Sequence, residues 1–185
     1  TRDDWHWPVG TTARHIRARE GPADLAKRIS RHAPVRHELY CDPDEPRQPE
    51  VVQFELEEWI DSSPFERLLG VQILRTEEGQ AHLSLPFTLK LSNGGGVMHG
   101  GALTSLADTA VAMAIKSLLP PGTVFATTDL SMKFVAPVLE GQVHAYASVR
   151  EIGERSFNGE CALLGEDDET YALLTTVFKV ASQDK

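Results

Sequence analysis

Residues 93–108 read NGGGVMHGGALTSLAD. Asn93-Gly94-Gly95-Gly96 is a glycine-rich bend. The following residues, 98–119, are small and apolar with helical texture, and Pro120-Pro121-Gly122 closes them. Gly100 and Gly101 fall where the chain leaves the loop and enters that helix. The first N–H groups of a helix have no intrahelical partner and carry the positive end of its dipole. Without a Cβ, Gly100 lets a ligand carbonyl approach those donors, which is the chemistry of an oxyanion hole. The competing reading is that the glycines only let the helix pack tightly on a sheet.

Asp108 is the only acid in this helix and has Leu106, Ala107, Ala110 and Val111 around it. A carboxylate in such surroundings is costly unless it is paired or used. Either it is a buried Asp bonded by Thr104, Ser105 or Thr109, or it does chemistry. Gly100, Thr104 and Asp108 share one helix face. Eight residues at about 1.5 Å each separate Gly100 from Asp108 by about 12 Å along the axis. A base or nucleophile must come within about 3–3.5 Å of the atom it attacks. Two such residues of one chain cannot serve one carbonyl. If both are catalytic, the Asp comes from a second copy with an antiparallel helix, and the spacing predicts a dimer with shared sites.

Outward from this window the texture is mostly strand. Residues 71–76 and 80–86 read as strands joined by Glu77-Glu78-Gly79, and in the second Ala81, Leu83 and Leu85 alternate with His82 and Ser84. His82 is expected at the surface. Residues 123–135, 142–152, 156–164 and 171–180 are further strands, and short acidic turns such as 166–169 imply antiparallel hairpins. Before the first strand, Phe54, Trp59 and Ile60 have a helix-like pattern, and Ser62-Ser63-Pro64 starts a turn ended by Gly70. One long buried helix against an antiparallel sheet is an α+β arrangement.

The N-terminal part differs. Residues 1–50 read as an arm and linker, with a short helix at 22–33 and three prolines in 41–50; the domain proper is 51–185. Residues 1–40 carry +3 and the remainder −12, giving the net −9. That balance argues against nucleic acid as the main partner. No apolar run reaches about 18 residues, so no membrane helix is expected. No basic-then-apolar leader is visible. Cys41 and Cys161 have no disulfide or CxxC spacing, and a cytoplasmic protein is the expectation. The seven histidines lack metal-ligand spacing, and no phosphate-binding glycine motif appears, so neither a metal nor a nucleotide cofactor is implied.

Asn93, His99-Gly100-Gly101, Asp108, Thr127 in ATTDLSMKFVAPV and the Glu140-Gly141 step together resemble a hotdog-fold acyl-CoA thioesterase of the PaaI-like type. The resemblance covers residues 54–180. It implies a curled antiparallel sheet wrapped around the helix. It also implies an acyl-CoA substrate and a homodimer that pairs into a dimer of dimers. By the same resemblance, Gly100 offers its N–H to the thioester carbonyl. The partner's Asp108 is nucleophile or general base, and Asn93 fixes the water or carbonyl. A hydroxyl on the following strand assists the Asp; Thr127 holds that place, with Thr128 beside it. His99 either braces the loop or moves a proton. Gly101, Thr128, Lys133 and Arg150 are the expected substrate-binding residues, the last two among the cations available to the coenzyme phosphates with Lys90 and Arg155; Lys133 is also placed to pair with Asp129. A hotdog hydratase fits poorly, because Asp108 lies deep in the helix. A non-enzymatic acyl-CoA sensor with a regulatory arm is the alternative, although it has no need of Asp108.

Overall fold

The computed structural model describes residues 56–182. The expected arm, its 22–33 helix, the 41–50 linker and Cys41 lie outside the described residues. Helix α1, Pro64–Leu69, has Pro at its start and a capping box in which the Ser63 and Glu66 side chains and backbones satisfy one another. Gly70 ends it in the left-handed region at φ 86°, its N–H donating to the Glu66 and Arg67 carbonyls. The helix-like reading of residues 54–60 does not hold where it can be seen. Residues 57–60 form bends, and Trp59 instead donates its Nε1 hydrogen to the Lys116 carbonyl at 2.9 Å.

Strands β1, Gln72–Glu77, and β2, Gln80–Pro86, form a hairpin. Its turn needs positive φ at two residues, and Glu78 (46°) and Gly79 (75°) supply it. After a 3₁₀ turn at Leu89–Leu91 comes the long helix α2, Gly100–Lys116. It is shorter than residues 98–119 because His99 caps its start and Ser117 its end. Strands β3, Phe125–Phe134, β4, Gln142–Gly153, β5, Ser156–Leu164, and β6, Thr170–Val180, complete one sheet. The order is β1-β2-β4-β5-β6-β3, with every neighbouring pair antiparallel. Strands β4, β5 and β6 follow one another by hairpins, whereas β3 crosses to the far edge and pairs with β6.

This is the hotdog arrangement. The alternating inward residues of the sheet close on α2: Leu83, Leu85, Val143, Ala145 and Leu163 are fully buried, as are Leu106, Ala107, Ala110 and Val111 of the helix. Each large aliphatic side chain taken out of water contributes about 1.5–3 kcal/mol. Helix and sheet pack closely at Gly159 on β5, where a Cβ would stand 2.3 Å from Val111 Cγ1.

Two surfaces remain open. Gly101, Thr104, Ser105, Asp108, Thr109, Ala112 and Lys116 form a stripe along α2 that the sheet leaves uncovered. Edge strand β3 exposes Leu130 and Phe134. His82 is not a free surface residue. It stacks on Tyr146, ring centroids 4.3 Å apart, and its Nε2 lies 3.1 Å from Nδ1 of His144 on the neighbouring strand. Burial and then the neighbouring His144 hold its pKa below the ordinary value. Among the described residues, no helix is long and apolar enough to cross a membrane.

Candidate active site

The loop before α2 is built by its own backbone. Asn93 accepts the Gly96 N–H and donates its N–H to the Val97 carbonyl. Its side-chain Oδ1 takes the Gly95 N–H at 2.8 Å and the Val97 N–H at 3.4 Å. The amide oxygen is thus spent on the turn, and the Nδ2 group has no acceptor among the described residues. Met98 and His99 then tie the loop down, donating to the carbonyls of Val138 and Leu91.

His99 is the N-cap of α2. Its Nδ1 accepts the Gly101 N–H at 2.9 Å, which settles the ring in a bracing position. Gly101 is therefore not a free donor, and a Cβ there would meet that His99 nitrogen at 2.9 Å. Gly100 differs. No described residue accepts its N–H, and a Cβ would meet only the ring end of the exposed Phe134, at 3.1 Å from Cζ. At Gly100 the close neighbour is thus an exposed ring at the end of β3, whereas a Cβ at Gly159 would press into the closed core. The N–H at the start of α2 stands open to a ligand oxygen, with the positive end of the helix dipole behind it.

Two turns along, Asp108 is half-buried. Thr127 Oγ1 lies 3.0 and 3.1 Å from its two carboxylate oxygens and donates to them. None of the three helix hydroxyls considered from sequence serves it. Thr104 and Ser105 donate back to the carbonyls of Gly100 and Gly101, and Thr109 reaches Glu66 at 3.4 Å. Burial raises the Asp108 pKa above the ordinary carboxylate value, and the Thr127 bond partly offsets it. A bulge between Thr127 and Asp129 resolves the register of β3. Thr127 turns inward to Asp108, whereas Thr128 is exposed and donates to the Val177 carbonyl, so Thr128 does not face this carboxylate.

Asp108 and Thr127 open into a cleft of about 240 Å³ between α1, α2 and the start of β3. Ala112, Met113, Phe125 and Phe178 give it apolar walls; Asp61, Ser63, Glu66 and Lys116 give it polar ones. Sequence reasoning missed these four, although Asp108, Ala112 and Lys116 recur every fourth residue and Ser63-Pro64-Phe65-Glu66 is a legible capping box. Lys133 and Arg150 lie outside the cleft, both exposed. Lys133 makes no ion pair with Asp129 among the described residues; four residues apart on a strand is too far for contact. Arg150 pairs with Asn158, beside the end of α2 away from Gly100.

The arrangement offers one unpartnered donor suited to a developing oxyanion and one carboxylate of raised basicity held by a hydroxyl. Known proteins resemble this chain over its described part. A family model described as the thioesterase superfamily matches residues 95–172. The acyl-coenzyme A thioesterase PaaI of Escherichia coli is 32% identical over 108 residues, 58% of this chain and 75% of that one. The chain belongs to the thioesterase superfamily. Among solved structures, this PaaI-like thioesterase is similar to E. coli PaaI itself, at 28% identity and TM-score 0.60 over 65% of this chain and 86% of that one. It is similar also to a conserved protein of Pseudomonas aeruginosa, at 29% identity and TM-score 0.64, covering 69% of this chain and all of that one.

Proposed function

We propose that this enzyme hydrolyses acyl-CoA thioesters to the free acid and coenzyme A, at two sites shared across a homodimer. The observation that carries the reading is the pair formed by an unpartnered Gly100 N–H and a Thr127-held Asp108 on the same helix. They are about 12 Å apart along its axis, too far to act on one carbonyl. An antiparallel second copy brings the partner's Asp108 to the carbonyl that Gly100 polarises. Two surfaces support that assembly. The open stripe on α2 carries small side chains, which allow a second helix to approach closely, and β3 presents an unpaired edge.

In the reaction, the Gly100 N–H stabilises negative charge growing on the thioester oxygen. The partner's Asp108 either attacks the thioester carbon or takes a proton from the water that does. The C–S bond breaks, and coenzyme A leaves as thiolate. A thiolate needs no dedicated general acid, which matches so short a set of groups. Asn93, through its free Nδ2, is assigned to orient the water or the carbonyl, and His99 to bracing. Lys133 and Arg150 are assigned to the coenzyme phosphates, and the dimers to pairing as a dimer of dimers. The location proposed with this activity is the cytoplasm, in keeping with the net charge of −9.

Asp108→Asn is expected to abolish turnover while leaving a folded dimer that binds acyl-CoA, because the amide keeps shape but not basicity. Gly100→Pro removes the donor and is also expected to be inactive. When the two inactive variants are mixed under conditions that exchange subunits, about a quarter of wild-type activity should return. Half of the dimers are then mixed, and each carries one intact site. No recovery from folded, exchanging variants would refute the shared site, and near-normal turnover in Asp108→Asn would remove it from the mechanism.

A further inference from the structure

The cleft that starts at Asp108 holds one group that the proposed reaction does not use. Lys116 lies two turns beyond Asp108 on the same helix face, about 12 Å along the axis, with the small Ala112 between them. Its side chain is half-buried, and its ammonium sits 5.0 Å from the centroid of the Trp59 ring. That ring is itself pinned by its bond to the Lys116 carbonyl. The carboxylates of the cleft are already engaged. Asp61 takes the Arg67 guanidinium at 2.8 Å and the Ser62 N–H, Glu66 serves the capping box and Thr109, and Asp108 takes Thr127. No described carboxylate lies within 4.0 Å of the Lys116 ammonium, and none of the described hydrogen bonds involves it. Burial lowers its pKa, while Glu66 and Asp61 act from farther away to raise it. An aromatic face gives such a cation partial compensation and leaves its N–H donors open.

The charges also decide which end of the substrate enters. Asp61, Glu66 and Asp108 line the cleft against one ammonium, and with Asp61 paired to Arg67 the lining is still net acidic, which disfavours the phosphates of coenzyme A. Ala112, Met113, Phe125 and Phe178 suit carbon chain. The acyl group therefore runs from the carbonyl at Asp108 along α2 toward Lys116. We propose that Lys116 is a specificity-determining residue of the acyl subsite, selecting acyl groups that carry a neutral hydrogen-bond acceptor at their far end. A methyl end leaves the ammonium desolvated and unpaired, which is costly. A carboxylate end meets Asp61 and Glu66. This inference rests on the acyl-CoA reading above.

The test uses the purified full chain with octanoyl-CoA, 8-hydroxyoctanoyl-CoA and suberoyl-CoA, which share a length and end in methyl, hydroxyl and carboxylate. The expected kcat/KM for the hydroxyl substrate exceeds that for the methyl one by about tenfold, the scale of one hydrogen bond to a charged group. Lys116→Met should bring that ratio close to one, and Lys116→Arg should keep it. Lys116→Gln, which retains a donor without charge, should fall between them and serves where the Met variant does not fold. A wild-type ratio near one, a ratio unmoved by Lys116→Met or Lys116→Gln, or preference for suberoyl-CoA would overturn the assignment. Those results leave Asp108-dependent hydrolysis standing. Absence of Asp108-dependent hydrolysis with every acyl-CoA would instead bring down the function proposed above, and this inference with it.

Discussion

Keeping Asp108 ionised in a half-buried site costs stability at neutral pH. Burial raises its pKa above the ordinary carboxylate value, and the Thr127 hydrogen bond recovers only part of that shift. The folded chain therefore binds the proton more tightly than the unfolded chain. Between the ordinary carboxylate value and the raised one, stability increases as pH falls; above the raised value the ionised group is a standing cost. Asp108→Asn is thus expected to melt at a higher temperature than wild type at pH 7, with the gap closing as pH falls through the raised pKa. Thermal melts across a pH series check this, and a lower melting temperature at pH 7 would contradict it. Activity depends on the same carboxylate in the opposite sense, since only the ionised form is a base or nucleophile. Removing the Thr127 hydroxyl removes what lowers the pKa, so Thr127→Val should move the acid limb of the pH–rate profile to higher pH. Thr127→Ser should leave the limb in place, and an unmoved limb in the Val variant would release Thr127 from its positioning role. The lone acid in an apolar helix was legible from the sequence because its cost is local. Its hydroxyl partner was legible only through the family resemblance, which named Thr127 with Thr128 beside it; the β3 bulge separates the two by turning Thr127 inward and Thr128 outward.

Helix α2 packs closely on the sheet at a position that no helix-based reading could reveal. Gly159 lies in the middle of β5, and an added methyl would stand 2.3 Å from Val111 Cγ1 and 3.1 Å from Thr176 Cγ2. Both neighbours sit in the packed core, so neither can give way cheaply. Gly159→Ala should therefore destabilise the fold by about 1–3 kcal/mol, the usual cost of overpacking. Gly100→Ala meets only the exposed ring end of Phe134 and should change stability by under about 0.5 kcal/mol while lowering hydrolysis. Urea unfolding of the two variants separates the roles; equal losses would return Gly100 to a packing function. Alternation in β2 and the hairpin signals of β4 to β6 made those elements legible, because a period of two and a positive-φ turn are local properties. The placement of β3 beyond β6 was not legible, since strand order depends on long-range pairing. Bends at residues 57–60 were mistaken for helix because Trp59 and Ile60 are apolar for a tertiary reason, Trp59 docking on the end of α2 and Ile60 packing against the core.

At the scale of the whole molecule, the basic residues 1–40 precede both the acidic remainder and the part that the family model matches. Residues 1–40 carry +3 and the rest −12. The family model matches residues 95–172, and the solved relatives cover 65–69% of the chain. Of the groups assigned to the reaction, His99, Gly100, Asp108 and Thr127 fall within the matched part, and Asn93 stands two residues before it. The proposal for residues 1–50 is accordingly a cover rather than a catalyst. Trp5, Trp7, Leu25 and Ile29 are apolar side chains that suit such a cover, and the basic balance complements an acidic body. The acidic rim of the cleft, with Asp61 and Glu66, is a surface that such a cover can complement. A protein beginning near Val51 should retain Asp108-dependent hydrolysis, and should differ from the full chain in melting temperature or in acyl-length preference. If the cover acts through charge, raising salt from 0.05 to 0.5 M should bring the full chain toward the truncated protein, because the Debye length then falls well below about 10 Å. Complete loss of hydrolysis in a truncated protein that is still folded and dimeric would place a required group in residues 1–50. The active site would then extend beyond the residues that the family shares, and the separation of cover from catalyst would fail.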